Sequence, residues 1–170
     1  VQIELKRRGM DLREAVNQIM RYKKHSYIGL YRYIQCFVVS NGVDTKYFSN
    51  SDRDILYSLT FFWTDENNIR ITNLKDFSIS FLARDQITRM LLRYTVLNDV
   101  EKAIMIMRPY QVYAASKLID RARFSDKNAY IWHTTGSGKT MTSFKSAQLI
   151  ANSGDADKVV FLLDRVELSI

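Results

Sequence analysis

The chain has 170 residues, of which 46% are hydrophobic and 25% charged, a composition typical of a globular protein with one domain or two small ones. No apolar run, that of residues 159–163 included, is long enough to cross a membrane, and a single cysteine excludes a disulfide framework. The net charge is +7, and residues 1–33 hold eight Lys or Arg against three Asp or Glu. A polyanionic partner such as double-stranded DNA is therefore expected at this end, with a solubilising surface as the alternative.

Residues 1–6 alternate apolar and polar side chains, which predicts a strand with Glu4 and Lys6 on one face. A carboxylate and an ammonium group in this arrangement can bind a divalent metal and stabilise the charge of a phosphoryl transition state. Taken alone, such a pair more often belongs to the solvated face of a strand than to a metal site. The segment lacks the features of a signal peptide, and Cys36 is most simply a core thiol, so a cytoplasmic location is expected.

A helix is predicted over residues 11–25, with Asp11 as its N-cap. Gln18 and Tyr22 are four residues apart and therefore lie on the same helical face. In the alternative interpretation, in which the two residues belong to no functional site, Gln18 is a surface residue and Tyr22 packs in the core. Glu-x-Lys followed by Gln-x-x-x-Tyr, however, resembles the second half of the PD-(D/E)xK nuclease core, and this resemblance implies that Gln18 and Tyr22 orient the site and contact the DNA backbone.

That family also requires an acidic metal ligand on the strand before the Glu-x-Lys strand. Because the chain begins at Val1 without a methionine, we expect it to be an internal fragment that starts after this ligand.

The middle of the chain is predicted to hold three more strands and two helices. The turn signal Asn41-Gly42 predicts a hairpin between strands at residues 34–40 and 45–49, and a third strand is predicted at residues 59–64. Tyr27, Tyr31 and Tyr33 are expected in the core, with base stacking as the less favoured role. Helices are predicted at residues 74–83 and 85–95, and the domain boundary is placed between residues 98 and 99.

A helix start is predicted at Pro109, two residues before Gln111. The amide of a Gln can pair with the N6 donor and N7 acceptor of adenine, whereas an exposed Gln without a ligand is the ordinary alternative.

A Gly-rich turn between a short apolar strand and a helix predicts a phosphate-binding loop. Gly136 and Gly138 permit the tight turn that brings backbone N–H groups to phosphate oxygens, while the helix N-terminus adds positive partial charge. Lys139 is expected to contact the β- and γ-phosphates, and Thr140 to bind Mg²⁺. The joint occurrence of strand, turn, Lys-Thr and helix favours this interpretation over an ordinary loop. The complete set of loop residues is Thr135, Gly136, Ser137, Gly138, Lys139 and Thr140.

Residues 108–111, 132–140 and 158–165 resemble the adenine-reading Gln motif, motif I and motif Ia of superfamily-two helicases. With Glu4, Lys6, Gln18 and Tyr22, they make the whole chain similar to the R (restriction and motor) subunit of type I restriction–modification enzymes, with type IC as the expected branch. The fold that this resemblance implies is α/β: part of a PD-(D/E)xK nuclease core with a helical connector in residues 1–98, and the beginning of a RecA-like domain in residues 99–170. Parallel strands are expected at residues 129–133 and 158–164.

The resemblance implies ATP-driven translocation of double-stranded DNA coupled to Mg²⁺-dependent cleavage by a type I site-specific deoxyribonuclease. Glu4 and Thr140 would bind Mg²⁺, Gln111 would read adenine, and Asp164 and Arg165 would track DNA. The expected partners are methyltransferase and specificity subunits. No association with a membrane is expected. Since the later helicase motifs lie outside the sequence, the fragment alone is expected to be inactive. The alternatives are a motor ATPase with a vestigial nuclease-like domain, and a non-catalytic DNA-binding or subunit-docking module.

Overall fold

The structure is a computed structural model that describes residues 1–51, 55–100 and 103–162. The chain divides into two units between Pro109 and Tyr110. Its mixed α/β character confirms that part of the predicted fold class. In chain order the elements are β1 (Gln2–Leu5), α1 (Leu12–His25), β2 (Cys36–Ser40), β3 (Thr45–Ser49), β4 (Trp63–Thr64), β5 (Arg70–Ile71), α2 (Leu74–Ser80), α3 (Arg84–Leu92), β6 (Thr95–Asn98), β7 (Ala103–Ile106), α4 (Pro109–Phe124) and α5 (Lys139–Ser153).

The first unit is built on a three-stranded sheet in the order β1-β2-β3. Strand β1 runs parallel to β2, with α1 as the crossover between them, and β3 returns antiparallel to β2. The predicted hairpin between β2 and β3 is confirmed, and its turn has Gly42 at φ +86°. Glycine suits this position because it adopts positive φ without steric cost.

Helix α1 covers one face of this sheet, as its apolar spacing predicts. Asp11 is the N-cap and its carboxylate accepts a hydrogen bond from the backbone N–H of Arg13 at 2.8 Å. One helical stripe, at intervals of three and four residues, then packs on alternate residues of the sheet. The buried cluster contains Leu12, Ala15, Val16, Ile19, Phe37, Val39, Phe48 and Ile55.

The opposite face of the sheet is covered by aromatic side chains. Tyr47 packs against Phe81 with ring centroids 4.5 Å apart, and Trp63 packs edge-on against Phe81 at 5.1 Å. The hydroxyl of Tyr47 donates to the carbonyl of Met107 at 2.9 Å, which satisfies the polar end of this buried ring. Because both faces are covered, all five residues of β2 are buried.

Cys36 is fully buried in β2, and burial raises the pKa of its thiol to about 12. The thiolate is the reactive form, so we expect native Cys36 to alkylate at least about 100-fold more slowly at pH 8 than after unfolding in urea. Mass spectrometry of the Cys36 peptide from the full-length protein measures both rates. Equal rates in the native and unfolded protein would contradict this burial.

The second unit contains α4 and α5. Helix α4 begins at Pro109 as predicted, and it buries Val112, Ala115 and Ile119 along one face. An ion pair joins Arg123, in the last turn of α4, to Asp155, two residues beyond the end of α5. Hydrogen bonds from Ser153 and Arg123 lower the pKa of the Asp155 carboxyl. No helix in the described part of the chain has both the length and the apolar character needed to span a membrane.

The parallel strands predicted at residues 129–133 and 158–164 are wrong as far as the structure describes them. Residues 129–134 and 158–162 have no regular secondary structure, and residues 163 and 164 lie outside the described ranges. The exposed fractions of Trp132 and Leu162 are 88% and 93%. A parallel strand is stabilised by neighbouring strands and covered faces, and no described residue supplies them here.

Three further expectations need correction or remain open. The strand predicted at residues 59–64 is reduced to β4, because Tyr57–Leu59 forms a 3₁₀ helix. Tyr31 and Tyr33 are exposed on a 3₁₀ helix rather than buried, whereas Tyr27 stacks on Phe37. Strand β6 ends at Asn98 and pairs with β7, which follows the predicted boundary, and the first unit continues to Pro109. The functional division between residues 98 and 99 stays a prediction.

Candidate functional site

The structure joins the four predicted nuclease residues in one chain of hydrogen bonds. The ammonium group of Lys6 donates to the Glu4 carboxylate at 3.1 Å and also to the side-chain oxygen of Gln18. The amide nitrogen of Gln18 donates in turn to the hydroxyl of Tyr22. Glu4 lies in β1 and Lys6 directly follows this strand, while α1 supplies Gln18 and Tyr22. The i, i+2 and i, i+4 spacings put each pair on one face.

The orientation of β1 is the reverse of an ordinary amphipathic strand. Lys6 and Glu4 have side-chain exposures of only 15% and 14%, whereas Ile3 and Leu5 are 45% and 57% exposed. Withdrawing an ion pair from water carries a desolvation penalty that its mutual attraction does not reliably offset. Stability alone therefore does not explain why the charged face, and not the apolar one, turns toward α1.

Hydrogen-bonding capacity remains at both ends of this chain of residues. An ammonium group has three N–H donors, and among the described residues Lys6 uses two of them. The hydroxyl of Tyr22 accepts from Gln18 and has no described acceptor for its own proton. The site can thus donate two hydrogen bonds to an anionic oxygen.

Two neighbouring residues were missed by the sequence analysis. The hydroxyl of Tyr27 donates to the side-chain oxygen of Gln2 on the same face of β1, and burial, supported by the nearby Glu4 charge, raises the Tyr27 pKa. The sequence could have indicated Gln2, because it is two residues before Glu4 and alternate residues of a strand lie on the same face.

For magnesium, this site supplies one carboxylate, that of Glu4. The described residues contain no group of three or more His, Cys, Asp or Glu side chains able to hold a metal. Mg²⁺ is commonly bound through one or two carboxylates and keeps several waters, so Glu4 fits as a single ligand.

A second candidate site lies in the second unit, at the turn before α5. Gly136 and Gly138 have φ of +74° and +78°, as the Gly-rich turn predicts, and Gly138 is the residue that precedes the helix. The ammonium group of Lys139 lies over the turn and donates to the carbonyl of Thr134 at 3.3 Å. An anion held by the loop would compete with this carbonyl for Lys139.

The side chain of Gln111 is buried against this turn. Its amide nitrogen donates to the carbonyls of Ser137 at 3.1 Å and Gly138 at 3.4 Å. A Cβ atom on Gly138 would lie 2.5 Å from the same nitrogen, so a larger residue there would displace the end of the Gln111 side chain, and the positive φ is the stronger reason for glycine. The predicted reading of adenine by Gln111 stays a prediction, since the structure places its donor on the loop backbone.

Tyr110 also contacts the loop, although the sequence analysis gave it no role. Its hydroxyl donates to the carbonyl of Ser137 at 2.6 Å, and its ring meets His133 edge-on at 5.8 Å. Its only signal was its place beside Gln111. The predicted DNA-tracking residues Asp164 and Arg165 lie outside the described residues.

Two families match separate parts of the chain. Residues 1–54 match the type I restriction enzyme R protein N terminus, and residues 110–170 match the SWI2/SNF2 ATPase. The chain is 52% identical over 99% of its length to the type I restriction enzyme SauCOLORF180P endonuclease subunit of Staphylococcus aureus, strain COL. The chain belongs to the endonuclease (R) subunits of type I restriction enzymes.

Other relatives support membership of the type I R subunits. The SsaAORF53P endonuclease subunit of Staphylococcus saprophyticus is 53% identical over 99% of this chain. The EcoprrI endonuclease subunit of Escherichia coli is 39% identical over 74% of this chain and 41% of its own length. The present chain spans 18% of the length of the staphylococcal relatives. Both candidate sites of this R-subunit chain fall within family-matched segments.

Proposed function

We propose that the first unit carries a phosphodiester-cleaving site of the PD-(D/E)xK class, which acts on double-stranded DNA within a type I restriction complex. The hydrogen-bonded assembly of Glu4, Lys6, Gln18 and Tyr22 is the observation that carries this proposal. Lys6 would stabilise the negative charge that develops on the scissile phosphoryl group, and Tyr22 would hold a neighbouring phosphate. Bound Mg²⁺, with Glu4 as one ligand, would supply Lewis-acid stabilisation of the same charge.

The second unit is proposed to bind ATP and to drive translocation along DNA from a RecA-like domain. Support comes from the positive φ of Gly136 and Gly138, from Lys139 at the start of α5, and from the match of residues 110–170 to an ATPase family. Thr140 would bind the Mg²⁺ that accompanies the nucleotide, while Asp164 and Arg165 would contact DNA. Methyltransferase and specificity subunits are the proposed partners.

A motor with a vestigial nuclease-like unit is the main competing function. The inward-facing ion pair argues against it, because withdrawing Glu4 and Lys6 from water has a desolvation cost that a site without activity would not offset. Plasmid cleavage by the assembled complex, with and without Glu4→Gln in the full-length subunit, decides between them. Loss of cleavage with continued ATP hydrolysis is expected, and full cleavage by the variant would refute the nuclease site.

A further inference from the structure

Cations and aromatic rings alternate across the surface of the first unit. The guanidinium of Arg13 lies 5.2 Å from the Tyr57 ring, on which the ammonium of Lys46 also lies, at 4.3 Å. The same ammonium is 4.7 Å from the Phe62 ring, and the guanidinium of Arg70 is 5.3 Å from that ring. We call this row, Arg13–Tyr57–Lys46–Phe62–Arg70, the cation–aromatic ladder.

The ladder joins four separate segments: Arg13 comes from α1, Lys46 from β3, Arg70 from β5, and the rings from the connection between β3 and β4. Arg13 and Arg70 are exposed, and Lys46 is half-buried. Within the described ranges none of these three cations forms an ion pair. A cation–ring contact at an exposed site is weak, so the rings orient the charges without neutralising them.

Sheet register places the ladder beside the proposed nuclease site. Glu4 pairs with Val39 and Val39 with Lys46, so the three residues form one row across β1, β2 and β3 on the face covered by α1. Neighbouring strands are about 4.8 Å apart, which puts the Cα atoms of Glu4 and Lys46 about 10 Å from each other. Val39, the middle residue of this row, is fully buried beneath α1, so the helix lies between the ladder and the Glu4–Lys6 site. Helix α1 contributes Arg13 to the ladder and Gln18 and Tyr22 to the site, so a duplex that crosses α1 would contact both.

We propose that the cation–aromatic ladder is a binding track for the phosphate backbone of double-stranded DNA and holds the duplex against the Glu4–Lys6 site. This inference rests on the proposed nuclease function and adds residues outside its motif. Lys46 and Arg70 would contact successive phosphates, whereas Tyr57 and Phe62 would fix their positions. Contacts to phosphate carry no base information, so the track serves any sequence.

Binding of short duplexes by the full-length subunit, measured at several salt concentrations, tests the track. Replacing Lys46 and Arg70 together by Gln is expected to weaken binding of two unrelated sequences equally, by about tenfold at 100 mM salt, and to reduce the slope of log affinity against log salt by about 2. The charge-matched control replaces the exposed Lys75 and Arg84 by Gln, neither of which is in the ladder. It should leave the slope unchanged.

The conservative pair Lys46→Arg with Arg70→Lys keeps both charges and is expected to bind DNA like the unmodified subunit. An unchanged slope in the Gln variant, or an equal loss in the control variant, would overturn the track. Either of these results would leave the nuclease proposal intact, because that proposal is tested by the cleavage activity of Lys6→Ala and not by the salt dependence of binding. Circular dichroism of the Gln variant detects loss of folding. If that variant does not fold, Lys46→Gln and Arg70→Gln are measured singly, and each is expected to reduce the slope by about 1.

Discussion

Lys6→Ala in the full-length subunit is expected to reduce cleavage of circular plasmid by about 10²- to 10³-fold in the assembled complex. The ammonium group is the only described cation that contacts the Glu4 carboxylate, and loss of one transition-state stabilising donor has effects of this size. ATP hydrolysis by the same complex should stay within about twofold, because Lys6 belongs to the first unit and the proposed nucleotide loop to the second. Cleavage and ATP hydrolysis are measured in one reaction.

Lys24→Ala is the matched control for this variant, since Lys24 is an exposed lysine in the last turn of α1. Lys6→Ala also removes side-chain volume next to Glu4 and Gln18, so a second variant, Lys6→Met, removes the ammonium group while keeping most of that volume. A thermal midpoint close to that of the unmodified protein separates loss of chemistry from loss of folding. Full cleavage by both Lys6 variants would contradict a catalytic role and favour the vestigial alternative.

Lys139→Ala is expected to weaken ATP binding by the full-length subunit about 10- to 100-fold and to abolish ATP-dependent plasmid cleavage. Hydrogen bonds to a charged group contribute about 1.5–3 kcal/mol, and Lys139, at the start of α5, is proposed to make them with phosphate oxygens. Fluorescence of a labelled ATP analogue measures the affinity. Loss of cleavage is expected because, in the proposed function, ATP-driven translocation precedes DNA cleavage.

An exposed lysine on α4 supplies the control for the nucleotide loop. Lys117→Ala removes the same charge from the second unit without altering the loop and should leave ATP affinity unchanged. Equal ATP affinity in Lys139→Ala and the unmodified subunit would contradict the nucleotide site. The non-catalytic docking interpretation would then be favoured.

The first site was predictable because its spacings act locally. Period two places Glu4 and Lys6 on one face of β1, and a four-residue interval places Gln18 and Tyr22 on one face of α1. The sequence did not indicate that the polar face of β1 would lie against α1. That outcome depends on packing between β1 and α1, which a one-dimensional pattern does not contain.

The second unit shows why other expectations failed. The apolar runs near Trp132 and Val160 have strand composition, but strands need partners that composition does not specify. The turn at Gly136 and Gly138 was predictable because positive φ has a direct sequence signal. The ladder was not visible in the sequence, since Arg13, Lys46 and Arg70 meet only through the sheet and its connections.

The most direct test of the account is the rate of DNA cleavage by Glu4→Gln, measured against Mg²⁺ concentration in the assembled complex. Glutamine keeps the shape of Glu4 but removes the charge that holds Lys6 and the proposed metal. We predict a loss of cleavage of at least about 100-fold, with ATP hydrolysis retained and a higher Mg²⁺ requirement for any residual cleavage. Unchanged cleavage with an unchanged Mg²⁺ requirement would show that the Glu4–Lys6 site does not cut DNA.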